Sequence, residues 1–313
     1  MPTVSLCMIV RNEEDVLDRC LKSVFDLVDE IIIVDTGSTD STKEIAYKYT
    51  DKVFDFVWVD DFSVARNFAF SKAKCEYLMW LDADDVLKDE DREQFKNLKN
   101  NFTPDINVVM MRYNTGFDEN GNVTFSYYRE RIIKNNVGML WKGAVHEVIE
   151  TFGRVIYSEC SVSHLKLHPS DKDRNLRIFE NMIKKGQVLD ARQQFYYGRE
   201  LYYHERYSDA IEVFENFLKD SMAWLENKID ACRHIAYCDG ALKSLLCSFT
   251  YDLPRAEICC DIGRHFFDRE DWQKAIYWYN VALDCKRNDK NGGFISPDDY
   301  GFTPCIQICV TVN

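Results

Sequence analysis

Residues 77–87 read Tyr-Leu-Met-Trp-Leu-Asp-Ala-Asp-Asp-Val-Leu, an apolar run that ends abruptly in the acids Asp82, Asp84 and Asp85. The apolar half suits a buried strand, and the acids sit where that strand leaves its sheet. Three carboxylates this close repel one another unless something cationic sits among them. Hard divalent ions take oxygen ligands, usually a few protein carboxylates plus substrate phosphates. The spacing of Asp82 and Asp84 lets two acids at a strand end serve one ion and a diphosphate bound to it. The plainer alternative is a solvated turn, or a helix N-cap cluster before Lys88-Asp89-Glu90.

Working back towards the N-terminus, the same grammar repeats. Val4–Val10 reads as a strand, and paired apolar residues at 16/17, 20/21 and 24/25 give one face of a helix. Ile31–Val34 is a β-branched strand ending in Asp35. Ser41 and Glu44 are spaced as a capping box for the next helix. Val53–Val59 reads as a third strand, and a helix carrying Arg66 and Asn67 follows. Strand alternating with helix predicts an α/β domain whose mostly parallel sheet has helices on both faces. Such sheets bind ligands outside the carboxyl ends of their strands. Asp35 and the Asp82/Asp84 pair both fall there.

Beyond a helix near 88–100 the pattern changes to antiparallel additions: strands at 107–113 and 123–133 around a turn at Glu119–Asn122, one near Ile156 and another at Ser161–Leu167. His168-Pro169-Ser170-Asp171 reads as a linker. From Asp173 the chain is helical and repetitive. Gly198 and Ala210 recur as Gly263 and Ala275, and Tyr207–Ile211 matches Trp272–Ile276, both 65 residues apart. That is close to twice the roughly 34-residue tetratricopeptide period, with a shortened unit between Asn227 and Thr250 filling the gap. Small residues at Gly198 and Ala210 let paired helices approach closely. The run Cys305–Val312 has no partner helix before Asn313, so the array is expected to end in an atypical cap or to be cut.

Composition excludes several classes. The 313 residues suffice for two domains with real cores, and a net charge of −13 disfavours nucleic acid and anionic membranes as partners. No run approaches the ~18 apolar residues of a membrane span, and Val4–Val10 lacks the basic flank and cleavage site of a signal peptide. A cytoplasmic location is expected. The 12 cysteines show no C-x-x-C spacing and read as small buried hydrophobes in a reducing compartment.

Five stretches together carry a family resemblance: CMIVRNEE at 7–14, IIIVDTGSTDST at 31–42, WVDDFSVARNFA at 58–69, LDADD at 81–85 and WKGAVHE at 141–147. The chain resembles the inverting family 2 glycosyltransferases of GT-A fold, in the subgroup fused to tetratricopeptide repeats. The resemblance implies a catalytic domain over 1–170 and a helical array over 171–313. It implies that Asp35, with Thr36, binds the nucleotide, and that Asp82 and Asp84 hold Mn²⁺ or Mg²⁺ against the donor diphosphate. Arg66 would contact that diphosphate, or else form a structural ion pair with Asp60 or Asp61. His146 or His164 is a candidate for a further metal ligand. Single-displacement inversion needs a general base within reach of the acceptor; Glu147 is preferred and Asp85 is the other candidate.

The expected donor is a uridine diphosphate hexose. The expected acceptor is a peptide or protein side chain presented by the helical array, as in enzymes that glycosylate bacteriocin peptides or flagellar proteins. The alternatives are a saccharide acceptor, and a degenerate domain serving as a scaffold. A nucleotidyltransferase would need a Gly-rich loop where this chain has Arg11-Asn12-Glu13-Glu14.

Overall fold

A computed structural model describes residues 2–168, 171–288 and 291–312. Pro169 and Ser170 of the expected linker, and Asn313, lie outside the described residues. The chain divides into two compact units, Met1–Lys172 and Asp173–Asn313.

The first unit is built on an eight-stranded sheet of order β3-β2-β1-β4-β7-β6-β10-β5. Strands β1 (Val4–Val10), β2 (Glu30–Asp35), β3 (Val53–Asp55) and β4 (Tyr77–Trp80) form the parallel half. Helices α1 (Leu17–Val24), α2 (Thr42–Ala46) and α3 (Phe62–Lys72) alternate with them. The strands are apolar on both sides because both sides are covered. Leu6, Met8, Ile31, Ile33 and Met79 pack on one face with Leu17 and Leu21 of α1. Cys7, Ile32, Val34, Leu78 and Trp80 pack on the other with Ala69 and Phe70 of α3.

After β5 (Asp85–Val86) and α4 (Asp89–Asn100) come β6 (Ile106–Phe117) and β7 (Val123–Lys134), which pair antiparallel, with β7 also antiparallel to β4. Strands β8 (Trp141–Lys142) and β9 (Val148–Ile149) make a separate two-stranded ribbon. The last strand, β10 (Arg154–His164), runs parallel to β6 and pairs antiparallel with β5.

Three local expectations are corrected. The strands expected near Ile156 and at Ser161–Leu167 are one strand, β10, interrupted by a register shift between Ser158 and Ser161. The third strand stops at Asp55, because β3 is the sheet edge and Val57 and Val59 turn out to 85% and 51% exposure. The capping box at Ser41 does not form: Ser41 makes no side-chain cap, and Glu14 and Asp40 instead accept the N–H groups of Ser41 and Thr42.

The second unit is all-helical: α5 (Arg174–Lys184), α6 (Ala191–Tyr203), α7 (Tyr207–Leu218), α8 (Leu225–Asp239), α9 (Leu242–Cys247), α10 (Ala256–Phe267), α11 (Trp272–Asp284) and α12 (Phe302–Val312). Its repeat is physical. A Cβ on Gly198 would meet the Phe214 ring at 2.7 Å, and a Cβ on Gly263 would meet the Tyr279 ring at 2.7 Å. Both pairs keep the 65-residue offset. The turns joining α6 to α7 and α10 to α11 are also copies, each with a glutamate in the left-handed region, Glu205 (φ 59°) and Glu270 (φ 58°). The short middle unit is α8 and α9. No helix among the described residues is long and apolar enough to cross a membrane.

Candidate active site

The loop after β2 is closed by its own acid. Asp35 is 2% exposed, and its Oδ1 accepts the N–H groups of Gly37 and Ser38 at 3.0 and 2.9 Å. Gly37 takes φ +105°, a conformation other residues adopt only with strain. The second oxygen, Oδ2, is buried with no hydrogen-bond partner among the described residues. A buried carboxylate oxygen left unpaired at a strand's carboxyl end is an acceptor in want of a donor. Thr36 beside it donates N–H and hydroxyl to Val10, tying the ends of β1 and β2 together.

The ARN and WKGAVHE stretches, distant in sequence, are locked to each other. Asp61 caps α3 by accepting from Val64, and the Phe62 N–H donates to Ala144. Asn67 brackets the β8 backbone, donating to the Trp141 carbonyl and accepting the Trp141 N–H, both at 2.9 Å. One residue earlier on the helix, Arg66 lies across the gap between β4 and the β8–β9 ribbon. Its Nε donates to Glu147 at 2.6 Å and its Nη2 to Asp82 at 2.8 Å. Its guanidinium also stands 5.2 Å from the Trp80 ring and 4.9 Å from the Trp141 ring. The alternative pairing of Arg66 with Asp60 or Asp61 does not occur: Asp60 accepts from the Trp58 indole, and Asp61 is spent on the cap.

Burial alone would raise the Asp82 carboxyl, but the charges of Arg66 and Arg131 bring it down to about 2. Burial likewise opposes charge on Arg66, yet Asp82 and Glu147 hold it more firmly protonated than usual. Asp82 keeps 34% side-chain exposure, and its Oδ2 has no partner among the described residues.

Asp85 lies differently from its two neighbours. It is fully buried, and four donors converge on its carboxylate. The Asp82 N–H and Arg131 Nη1 reach Oδ2 at 3.0 and 3.1 Å, and the Tyr113 hydroxyl and His164 Nδ1 reach Oδ1 at 3.0 and 3.1 Å. Arg131, itself fully buried, is sandwiched between the Trp80 and Tyr113 rings at 3.7 and 4.1 Å. His164 sits directly opposite Asp85 in the β5–β10 pairing. Its Nδ1 is also 3.2 Å from Asp84 Oδ1. Burial opposes its protonation, but the hydrogen bonds to Asp84 and Asp85 push it up to about 10.

Asp84, Asp85 and His164 each offer a ligand atom within 4.8 Å of the others, the arrangement a metal ion would need. Asp82, engaged by Arg66, and His146 are not in that group. His146 lies in the β8–β9 loop, exposed, with φ 51°. The sequence reading missed Arg131 and Tyr113. Their signal was faint: Arg131 is the last of three charges before the strand turns apolar, in Arg129-Glu130-Arg131-Ile132-Ile133.

Residues 5–152 match the family model for glycosyl transferase family 2. Most of the first unit thus resembles family 2 glycosyltransferases, and the fold is a mixed α/β sheet followed by a helical array. Among curated proteins, the chain is 27% identical over 232 residues to the SPbeta prophage-derived glycosyltransferase SunS of Bacillus subtilis, covering 70% of this chain and 54% of that protein. It is 52% identical over 87 residues to a TPR repeat-containing protein of Synechococcus elongatus, covering 28% of this chain and 22% of that one. The chain therefore spans about half or less of the length of these relatives. Among solved structures, S. aureus TarS 1-349 is similar at 13% identity and TM-score 0.39, covering 91% of this chain and 93% of that one, a likeness too distant to carry an argument.

Proposed function

We propose that this chain is a metal-dependent, inverting glycosyltransferase that moves a hexose from a uridine diphosphate sugar to a peptide or protein side chain. The observation that carries the reading is the group Asp84, Asp85 and His164 at the carboxyl end of β4 and beside β10, its two acids within the stretch that matches family 2. Carboxylate oxygens with one imidazole suit Mn²⁺ as well as Mg²⁺. The fit is supported by the donor set: Asp84 Oδ1 and His164 Nδ1 stand 3.2 Å apart, an oxygen and a nitrogen that one ion could take in place of the imidazole's proton. Asp84 and His164 would hold the ion. When bound, it would act as a Lewis acid for the departing diphosphate.

The residues then divide the work. Asp35 offers its unpaired Oδ2 to a donor group of the nucleotide, with Thr36 fixing the strand ends beside it. Asp82 keeps Oδ2 for the bound donor while Arg66 holds Oδ1. Asp85, saturated by four donors, fixes Arg131, Tyr113 and His164 around the site. A group so enclosed cannot also collect a proton from an acceptor. That leaves Glu147 as the base, held in place by Arg66 through one oxygen. The helical unit, whose paired helices repeat at 65 residues, is the natural carrier of a peptide acceptor.

The test is calorimetry of uridine diphosphate binding with and without Mn²⁺, on the chain and on Asp84→Ala. Metal-dependent binding that Asp84→Ala abolishes, with an unchanged melting curve, is the expected result. Tight binding that ignores the metal counts against the reading.

A further inference from the structure

Residues 285–301 separate α11 from α12, where helix–helix connections usually take about 2–8 residues. The excess length has a destination. The stretch Asn291–Tyr300 runs across α6, α8 and α10, the leading helix of each successive pair.

At α6, the Phe294 ring stacks 6.4 Å from the fully buried Phe195 ring, and the Arg199 guanidinium lies 4.4 Å from Phe294 on its other contact. At the start of α8, Gly292 and Gly293 pass so close that an added Cβ would meet the Trp224 ring at 3.1 Å and Glu226 Oε2 at 2.6 Å. At α10, Glu257 accepts the Ser296 N–H at 2.8 Å and the Tyr300 hydroxyl at 3.2 Å. Cys260 donates to the Asp299 carbonyl at 3.6 Å. Beneath the segment Arg255 lines the cleft, its Nε buried without a partner.

These contacts have the form of peptide recognition rather than of core packing. One aromatic anchor, 40% exposed, meets an aromatic–arginine site; a pair of glycines crosses a tryptophan; and one backbone N–H meets a fixed carboxylate. We propose that the surface across α6, α8 and α10 is a docking groove for a peptide, and that Asn291–Tyr300, which ends in the single helical turn Pro297–Tyr300, is its internal occupant, displaced when such a peptide binds. The peptide it fits has small residues followed by an aromatic side chain. An occupant tethered to its own groove competes at high effective concentration, so the groove is closed by default. This inference holds whether or not the first unit transfers sugar.

A fluorescein-labelled peptide of residues 291–300 is titrated into the full chain and into Phe294→Ser/Ile295→Ser, in which the internal anchor is removed. The expected result is binding about tenfold tighter to the variant, lost when the peptide's own phenylalanine is replaced by alanine and weakened when Arg199→Ala is added. Equal binding to both chains overturns the proposal, as does an Arg199→Ala change without effect. Loss of cooperative unfolding in the double variant also overturns it, since the segment would then be a strut of the array and not a displaceable occupant.

Discussion

Arg66 Nη2 stands 2.8 Å from Asp82 Oδ1, and the same guanidinium reaches Glu147 through Nε. One cation thus joins the acid at the end of β4 to the acid of the β8–β9 ribbon. The planar fork matters, because lysine, a point charge, cannot serve two carboxylates in fixed directions. Arg66→Ala leaves Glu147 enclosed without its partner and is expected to cost about 3 kcal/mol or more in urea unfolding. Arg66→Lys should recover only part of that loss.

Glu147→Gln keeps the shape of the side chain and a hydrogen-bond acceptor for Arg66 but removes the basic oxygen. Donor binding should survive, while transfer should fall by about 10²–10⁴. Mass spectrometry of the acceptor, alongside calorimetry of uridine diphosphate, separates the two. Transfer at the normal rate would move the base elsewhere.

His164 binds its proton more tightly in the folded chain than in the unfolded one, with its value raised from 6.5 to about 10. The contribution to stability is therefore complete below the unfolded value and disappears as pH climbs through the folded one. Without metal, the melting temperature should decline between pH 6.5 and 10, and His164→Gln should flatten that decline. A parallel pH profile in the variant would show that the imidazolium is not held as described.

In the helical unit, Gly198→Ala drives a methyl into the Phe214 ring. Overpacking of this kind typically costs about 1–3 kcal/mol. Gly263→Ala meets Tyr279 in the same way and should cost a similar amount, whereas Gly186→Ala, with nothing near its Cβ, should show only the strain of its left-handed backbone. Urea melts of the three variants test the copy relationship between the repeats.

Much of the site was legible because its strands announce themselves: β-branched or apolar runs at 31–34 and 78–81 stop at acids. Chain direction in a parallel half-sheet then places those acids on one edge. What escaped came from long-range pairing. Arg131 and Tyr113 enter from antiparallel strands whose register depends on the whole sheet, and nothing local marks them as partners of Asp85. The capping box at Ser41 failed for a related reason. Its local geometry was in competition with Glu14, 27 residues away, which took the Ser41 N–H first. Asp85 stood as a second candidate base in sequence because the arginine that neutralises it lies 46 residues downstream.

The irregularity between Ser158 and Ser161 acts as a spacer. From Val155 to Ser158 β10 follows β6 residue for residue; across the irregularity β10 advances three positions while β6 advances one. The two extra residues preserve the alternation of faces and carry the strand far enough for His164 to arrive opposite Asp85. Deleting one of them would reverse every side chain beyond it, putting Leu165 in the imidazole's place while the sheet upstream kept its pairing. The reach of the last strand is thus metered in whole residues, and a chain miscounted by one would lose the imidazole from beside Asp84 and Asp85.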